Sequence, residues 1–267
     1  MPQKIYIVDA FSHGPFTGNP AAVCPLGNPR TAPWMQGVAM EMNQAETAFY
    51  WPTGANAFAL RWFTPACEVD LCGHATLASA HVLFNEGEAS PVRFMTHSGE
   101  LVCTKTEGGI EMDFPNEAPT PTDDPGSKAA LGVQPVWIGA NRMDWFFELE
   151  SEEQVRALAS DMARVAALGK RGVIVTARPD DRTPERQDLA LDFVSRFFAP
   201  QSGIAEDPVT GSAHCALGPY WAQKLGKGSV TGYQASKRGG TVRVEVRGDR
   251  VGLAGRAVTV VEGTLRA

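Results

Sequence analysis

The sequence predicts an α+β protein built from two similar halves, and three observations carry that prediction. Residues 61–78, RWFTPACEVDLCGHATLA, are echoed by residues 196–216, RFFAPQSGIAEDPVTGSAHCA. Arg61, Phe63 and Pro65 fall on Arg196, Phe198 and Pro200, and Gly73 and Ala75 on Gly211 and Ala213. Further along, SGELVCTKTEGGIEMDF (98–114) is matched by GGTVRVEVRGDRVGL (239–253), each reading as two alternating strands around a glycine-containing turn. Two matches in the same order point to a repeated unit. Third, the runs that begin at Gly73 and Gly211 are almost uniformly apolar, the pattern of a helix buried at the centre of its half.

The elements follow in order. Residues 3–11 predict a strand. Residues 33–43, PWMQGVAMEMN, predict a helix with Pro33 in its first turn, where a missing N–H is no loss. Residues 57–63 are a strand and 73–87 the first apolar helix, ending near Gly87. The Pro- and Asp-rich stretch PNEAPTPTDDPG (115–126) reads as an exposed connection. It divides the chain into halves at 1–117 and 118–256, with the strand pattern of 257–267 a candidate to return and complete the first half. Residues 151–169 give a long helical pattern, with Ser151 and Gln154 as a capping box and Val155, Leu158, Met162 and Val165 on one face. Residues 171–178 and 189–200 are strands, and the polar stretch 178–187 is a surface loop. The second apolar helix, 211–226, should be interrupted or bent at Gly218-Pro219.

Composition bounds the function. Apolar residues make up 43% of the chain and charged residues 20%, enough for a core that needs no metal or disulfide as a staple. A net charge of −6 with no basic patch argues against nucleic acid as a partner. Five cysteines without regular spacing fit reduced thiols in a cytoplasmic protein. Neither a signal-peptide pattern at the N-terminus nor a membrane-spanning run is present, so no membrane association is expected.

The chemistry concentrates at the helix starts. A helix N-terminus offers unpaired backbone N–H groups and a partial positive charge, and glycine lets a ligand come close to them. Gly73-His74 and Gly211-Ser212 are two such starts at matched positions, suited to an anionic group such as a carboxylate. The plainer alternative stays open here: Thr210 and Ser212 cap the helix and Asp207 complements its dipole. Glu46, in MNQAETAFYW, has no basic residue near it in sequence. If buried, its carboxyl should be pushed up by desolvation, which suits a proton donor or shuttle; an exposed strand end is the alternative. In FSHGPFTGNPAAV (11–23), composition favours a tight turn between strands over a ligand contact.

Together FTGNPAAV, MNQAETAFY, FTPACEVDLCGHATLASA and EDPVTGSAHCALG, in this order, resemble the phenazine-biosynthesis isomerase family, the PhzF-like proteins, which are related to diaminopimelate epimerase. The likeness spans almost the whole chain. It implies two halves, each a curved, mostly antiparallel sheet or barrel wrapped around a central helix, with the active site between them. It further implies no cofactor and usually a homodimer; the helix starts point to a small carboxylated substrate, and no metal is expected. The family's acid/base glutamate falls on Glu46, its first helix start on Gly73 and His74, and its second on Asp207, Gly211 and Ser212, with Asn19 bordering the cleft. The member that names the family isomerises a dihydro-hydroxyanthranilate by moving a hydrogen between carbons. Relatives commonly read N-L-S-E-T where this chain has Asn43-Gln44-Ala45-Glu46-Thr47, so the serine hydroxyl beside the glutamate is lost at Ala45.

Three rivals stand beside an isomerase with Glu46 as its acid/base. A two-thiol epimerase would use Cys72, which a helix start could activate, but the matching position is Thr210. A metal site drawing on Cys67, Cys72, His74 or His214 lacks the usual zinc spacing. A non-catalytic small-acid-binding or scaffold protein could keep the same fold.

Overall fold

The structure, a computed structural model, describes residues 3–181, 183, 185 and 189–266, so part of the loop expected at 178–187 lies outside the described residues. Its strands and helices follow in the order β1 (Gln3–Ala10), β2 (Asn19–Pro25), α1 (Ala32–Met42), β3 (Glu46–Gly54), β4 (Ala57–Phe63), β5 (Glu68–Val69), α2 (Gly73–Asn85), β6 (Val92–Thr96), β7 (Gly99–Thr106) and β8 (Gly109–Pro115). Then come β9 (Thr120–Pro121), α3 (Ser127–Leu131), β10 (Trp137–Ala140), β11 (Asp144–Glu148), α4 (Glu152–Ala157), α5 (Met162–Ala167), β12 (Gly172–Ala177) and β13 (Phe193–Phe198). The chain closes with α6 (Gly211–Leu225), β14 (Ser229–Gln234), β15 (Gly240–Arg247), β16 (Arg250–Gly255) and β17 (Ala257–Leu265).

The chain forms two compact units, one of residues 1–113 and 254–267, the other of residues 114–253. In the first, β1 pairs antiparallel with both β17 and β2. From β2 the pairings run parallel to β3, antiparallel to β4, parallel to β6, then antiparallel to β7. In the second, β10 pairs antiparallel with β11, and the series continues parallel to β12, antiparallel to β13, parallel to β14 and antiparallel to β15. The order of pairings is the same in both. The fold is α+β, with mostly antiparallel sheets.

Each unit is built on its apolar helix. α2 buries ten residues from His74 to Phe84 and packs against β1, β2, β3, β7 and β17, so strands enclose it on several sides. α6 packs on β14 and β15. Its approach to β15 requires Gly218, because a Cβ there would collide with the Val244 side chain. Pro219 lies inside α6, yet the helix runs unbroken. Pro219 has no N–H to give the Cys215 carbonyl one turn back, and the Glu117 N–H supplies that bond instead at 3.1 Å. The expected interruption is thereby avoided.

The long helix expected over 151–169 is instead two short helices, α4 and α5. Ser151 caps α4 by accepting from the Gln154 N–H. The break falls after Ala157 because the Arg196 guanidinium takes the carbonyls of Val155, Arg156 and Leu158 at 3.2, 3.3 and 2.8 Å, stopping the α4 ladder. Asp161 then starts α5 by accepting from the N–H groups of Ala163 and Arg164. Among the described residues no helix is long and apolar enough to cross a membrane.

Candidate active site

The two matched loops are fixed by the same device. Arg61 grips Glu68 through two bonds of 2.6 Å, and Arg196 grips Glu206 at 2.7 and 3.0 Å. Each guanidinium also lies over the phenylalanine two residues on, at 5.2 Å from Phe63 and 4.9 Å from Phe198. Bidentate charged bonds of this kind set geometry firmly. They hold the segment that leads into each helix start. Glu206 is therefore a structural partner of Arg196, and Asp207 is the acidic residue left for chemistry.

In the first unit, β3 begins at Glu46 and α2 at Gly73, with Cys72 as N-cap. Glu46, Cys72 and His74 meet there. The His74 Nε2 lies 3.2 Å from Glu46 Oε2, both side chains less than 15% exposed. The pair is at ion-pair distance but out of line, so neither atom has a hydrogen-bond partner. On the other edge of the ring, His74 Nδ1 lies 3.5 Å from the Cys72 Sγ. Asn19 is fully buried at the start of β2, two residues ahead of Ala21, which pairs with Glu46.

The electrostatics correct the expectation for Glu46. Burial is the largest single influence and pushes its carboxyl up, but the charge and polar contact of His74 and the Cys72 thiol together outweigh it and hold the carboxyl below 4.5. Burial works against a charged His74, yet Cys72 and Glu46 outweigh it and hold the imidazole well above 6.5. The Cys72 thiol is pushed up, by burial first and then by the Glu46 charge. Near neutrality Glu46 is thus a carboxylate, facing an imidazole raised above its ordinary value. In that state the Glu46 carboxylate holds no proton to donate.

These three groups could also be read as metal ligands, since their donor atoms lie within 4.8 Å of one another. The ring orientation speaks against that use. His74 turns Nδ1 to Cys72 and Nε2 to Glu46, whereas a metal takes a single ring nitrogen and gathers its other ligands on that side. The arrangement is a line of proton-carrying groups.

In the second unit, Asp207, Gly211 and Ser212 lie on the turn that opens α6. The Thr210 hydroxyl donates to Asp207 Oδ2, and the Asp207 N–H donates to the Phe197 carbonyl at 3.1 Å. Gln234, fully buried, braces the turn. Its Nε2 donates to the Asp207 carbonyl at 2.7 Å, and its Oε1 accepts from the Thr210 N–H at 2.9 Å. Neither N-cap side chain, Cys72 or Thr210, makes a capping hydrogen bond. Both starts keep backbone donors in the first turn that no N-cap side chain satisfies. The loop ahead of Asn19 is a tight turn, with Gly18 at φ +73 where a Cβ would strike the Ala10 carbonyl.

Sequence reasoning missed Gln234 and Arg171. Arg171 donates to the Ser212 Oγ at 3.0 Å. Neither carries a local signal, because each reaches the α6 start from a distant part of the chain, Gln234 from the end of β14 and Arg171 from the residue before β12. Cys72 was visible, but as one thiol of a two-thiol pair or as a metal ligand.

A family model described as phenazine biosynthesis-like protein matches residues 8–263. An uncharacterized isomerase of Halalkalibacterium halodurans is 47% identical, covering 99% of each chain. The crystal structure of a phenazine biosynthesis protein, PhzF family, from Enterococcus faecalis is 42% identical, covers 100% of both chains and superposes with a TM-score of 0.93. A probable proline racemase from Agrobacterium radiobacter, 12% identical over 98% of this chain and 92% of its own, shares the fold alone with a TM-score of 0.62. The isomerase name of the 47% identical relative supports an enzyme of the isomerase kind. By its matched length and its fold, the chain belongs to the phenazine biosynthesis-like protein family.

Proposed function

We propose that this protein is an isomerase that moves a carbon-bound proton on a small carboxylated substrate, with Glu46 as the acid/base group and no cofactor. The observation that carries the reading is the buried Glu46–His74 pair, held ionised next to a helix start. An ionised carboxylate shielded from water is a competent base for a carbon acid. In the proposed reaction Glu46 takes the proton as the C–H bond breaks, and the electron pair moves into the substrate's conjugated system. Glu46, now a carboxylic acid, returns the proton to a second carbon. His74 stabilises the carboxylate before and after the shift.

Gly73 and the α6 start at Gly211 and Ser212 are assigned to the substrate's anionic group, through backbone N–H donors and the Ser212 hydroxyl. Asp207 is assigned to an amino or hydroxyl group of the substrate. Asn19 is assigned to the border of the site. Thr210 occupies the place that a second thiol would need, which disfavours two-thiol chemistry.

The test is incubation in D₂O with a panel of small amino and hydroxy acids, dihydro-hydroxyanthranilate included. Mass spectrometry reads deuterium entering carbon, with Glu46→Gln as the control. Deuterium incorporation by the wild type and not by the variant is the expected result. Equal incorporation by both would remove Glu46 from the mechanism. A protein that binds members of the panel and never exchanges a carbon-bound proton would be a binding protein.

A further inference from the structure

Sheet register shows what stands in the second unit where the first carries Glu46. Phe63 pairs with Thr47, and its counterpart Phe198 pairs with Val173. Glu46 and Gly172 therefore hold matched places at the head of β3 and β12, and Ala45 matches Arg171. His74 and Ser212 are likewise each the second residue of α2 and α6. In the first unit the side chain at the strand head meets the second residue of the helix, as Glu46 meets His74. In the second unit Gly172 brings no side chain. A Cβ there would strike the Phe197 ring and lie 3.1 Å from Asp144 Oδ1. The group that reaches the helix is the preceding residue, Arg171, whose Nη2 donates to Ser212 Oγ at 3.0 Å.

Arg171 is fixed by other contacts. Its Nε and Nη2 donate to the two oxygens of Asp144 at 3.0 and 2.5 Å, and the Asp144 side chain is 0% exposed. The guanidinium also lies 5.4 Å from the centre of the Phe197 ring. Asp144 offsets its charge, so what Arg171 gives Ser212 is direction more than electrostatic attraction.

We propose that Arg171 is a positioning residue that sets the Ser212 hydroxyl as a hydrogen-bond donor to the substrate carboxylate. A guanidinium carries donors and no acceptor, so in the Arg171–Ser212 contact the Oγ must accept. The single hydroxyl hydrogen is then left for another acceptor. At the start of α6, beside backbone N–H groups, a carboxylate oxygen is the acceptor that completes the set. This inference rests on the assignment of the substrate carboxylate to the α6 start.

The experiment measures binding of anthranilate and of its uncharged analogue anthranilamide by titration calorimetry. The proteins are the wild type, Ser212→Ala, Arg171→Lys and the double variant. Lysine keeps a cation beside the buried Asp144, so the variant can fold; Arg171→Ala combined with Asp144→Asn serves as a second route, and circular dichroism checks each. The wild type should prefer anthranilate, and Ser212→Ala should lose about tenfold of that preference, the scale of one hydrogen bond to a charged group. Arg171→Lys should lose a comparable share, and the double variant no more than Ser212→Ala alone. A merely structural role would weaken both ligands equally and leave the preference intact. An Arg171→Lys protein as selective as the wild type, or losses that add in the double variant, would overturn the inference and spare the carboxylate assignment. No wild-type preference at millimolar ligand, or a Ser212→Ala protein as selective as the wild type, would overturn the assignment and this inference with it.

Discussion

Replacing Glu46 by glutamine removes one charge from a pair whose members hold each other ionised. The contact is 3.2 Å and almost closed to water. At an effective dielectric of about 20 a charge pair at that distance is worth about 5 kcal/mol, before desolvation is subtracted. With the carboxylate gone, burial acts on His74 against Cys72 alone, and the imidazole should fall from its raised value. The variant's His74 then releases its proton at a lower pH than the wild type's. Shedding that proton limits the cost, so the loss of stability should come to about 3 kcal/mol, the low end for a broken buried pair. The pH dependence gives the sharper signature. His74, raised on folding, contributes stability that is full below 6.5 and is lost as pH rises through its folded value. Glu46, lowered on folding, contributes stability that is present above 4.5 and is lost as pH falls through its folded value. The gap between wild type and Glu46→Gln should therefore be widest between 4.5 and 6.5, persist up to the folded His74 value, and narrow at both extremes. Urea melts across the pH range measure the gap, and ¹⁵N spectra of the His74 ring follow its titration directly. A wild-type His74 that titrates at or below its ordinary value, or a gap that does not vary with pH, would refute the ion-pair argument.

Arg196→Ala should destabilise the fold by about 3 kcal/mol, because Glu206 and the three carbonyls that end α4 all lose their partner. The matched Arg61→Ala should cost only about 1–2 kcal/mol, since Glu68 is its main partner; denaturant melts of the two variants read the difference. Iodoacetamide at neutral pH should label the exposed Cys67 and spare the buried Cys72, whose thiol is pushed up. Peptide mapping checks this, and rapid labelling of Cys72 would revive a thiol mechanism. Gly218→Ala should lower stability by about 1–2 kcal/mol despite its better helix propensity, because the new methyl group meets Val244; a thermal melt showing stabilisation would mean that β15 yields.

What the sequence displayed was whatever is written locally. The starts of α2 and α6 could be read from Gly73 and Gly211 with the apolar runs behind them, and the β7–β8 hairpin from alternation around a glycine turn. The acid at Glu46 was visible as a residue type in an apolar setting. Its ionisation state was not, because the group that decides it, His74, sits on another element and meets it only after folding. The same reason explains the two errors of secondary structure. The pattern over 151–169 is helical throughout, and only Arg196 on β13 makes the chain stop after Ala157. Pro219 should interrupt a helix, and only the Glu117 N–H relieves the carbonyl it leaves unpaired. Arg171 stayed hidden for a further reason. An arginine at the head of a strand is an ordinary solvent-facing residue until a buried Asp144 holds it against Ser212.

The two units show how one series of strand pairings can carry different chemistry. At three matched places the first unit has Glu46, Cys72 and His74, and the second has Gly172, Thr210 and Ser212. The first set consists of groups that gain and lose protons. The second contains none that titrates near neutrality, and its hydroxyls are held by Asp207, Gln234 and Arg171. A two-thiol mechanism needs a thiol at both starts, and Thr210 cannot serve as one. A single base that both removes and returns the proton needs only the first set, together with something that holds the substrate still while the proton moves. Fixed donors that do not titrate suit that second task, because their state does not change with the proton being transferred. At these three matched places only the first unit carries titrating groups, the distribution that the proposed chemistry at Glu46 calls for.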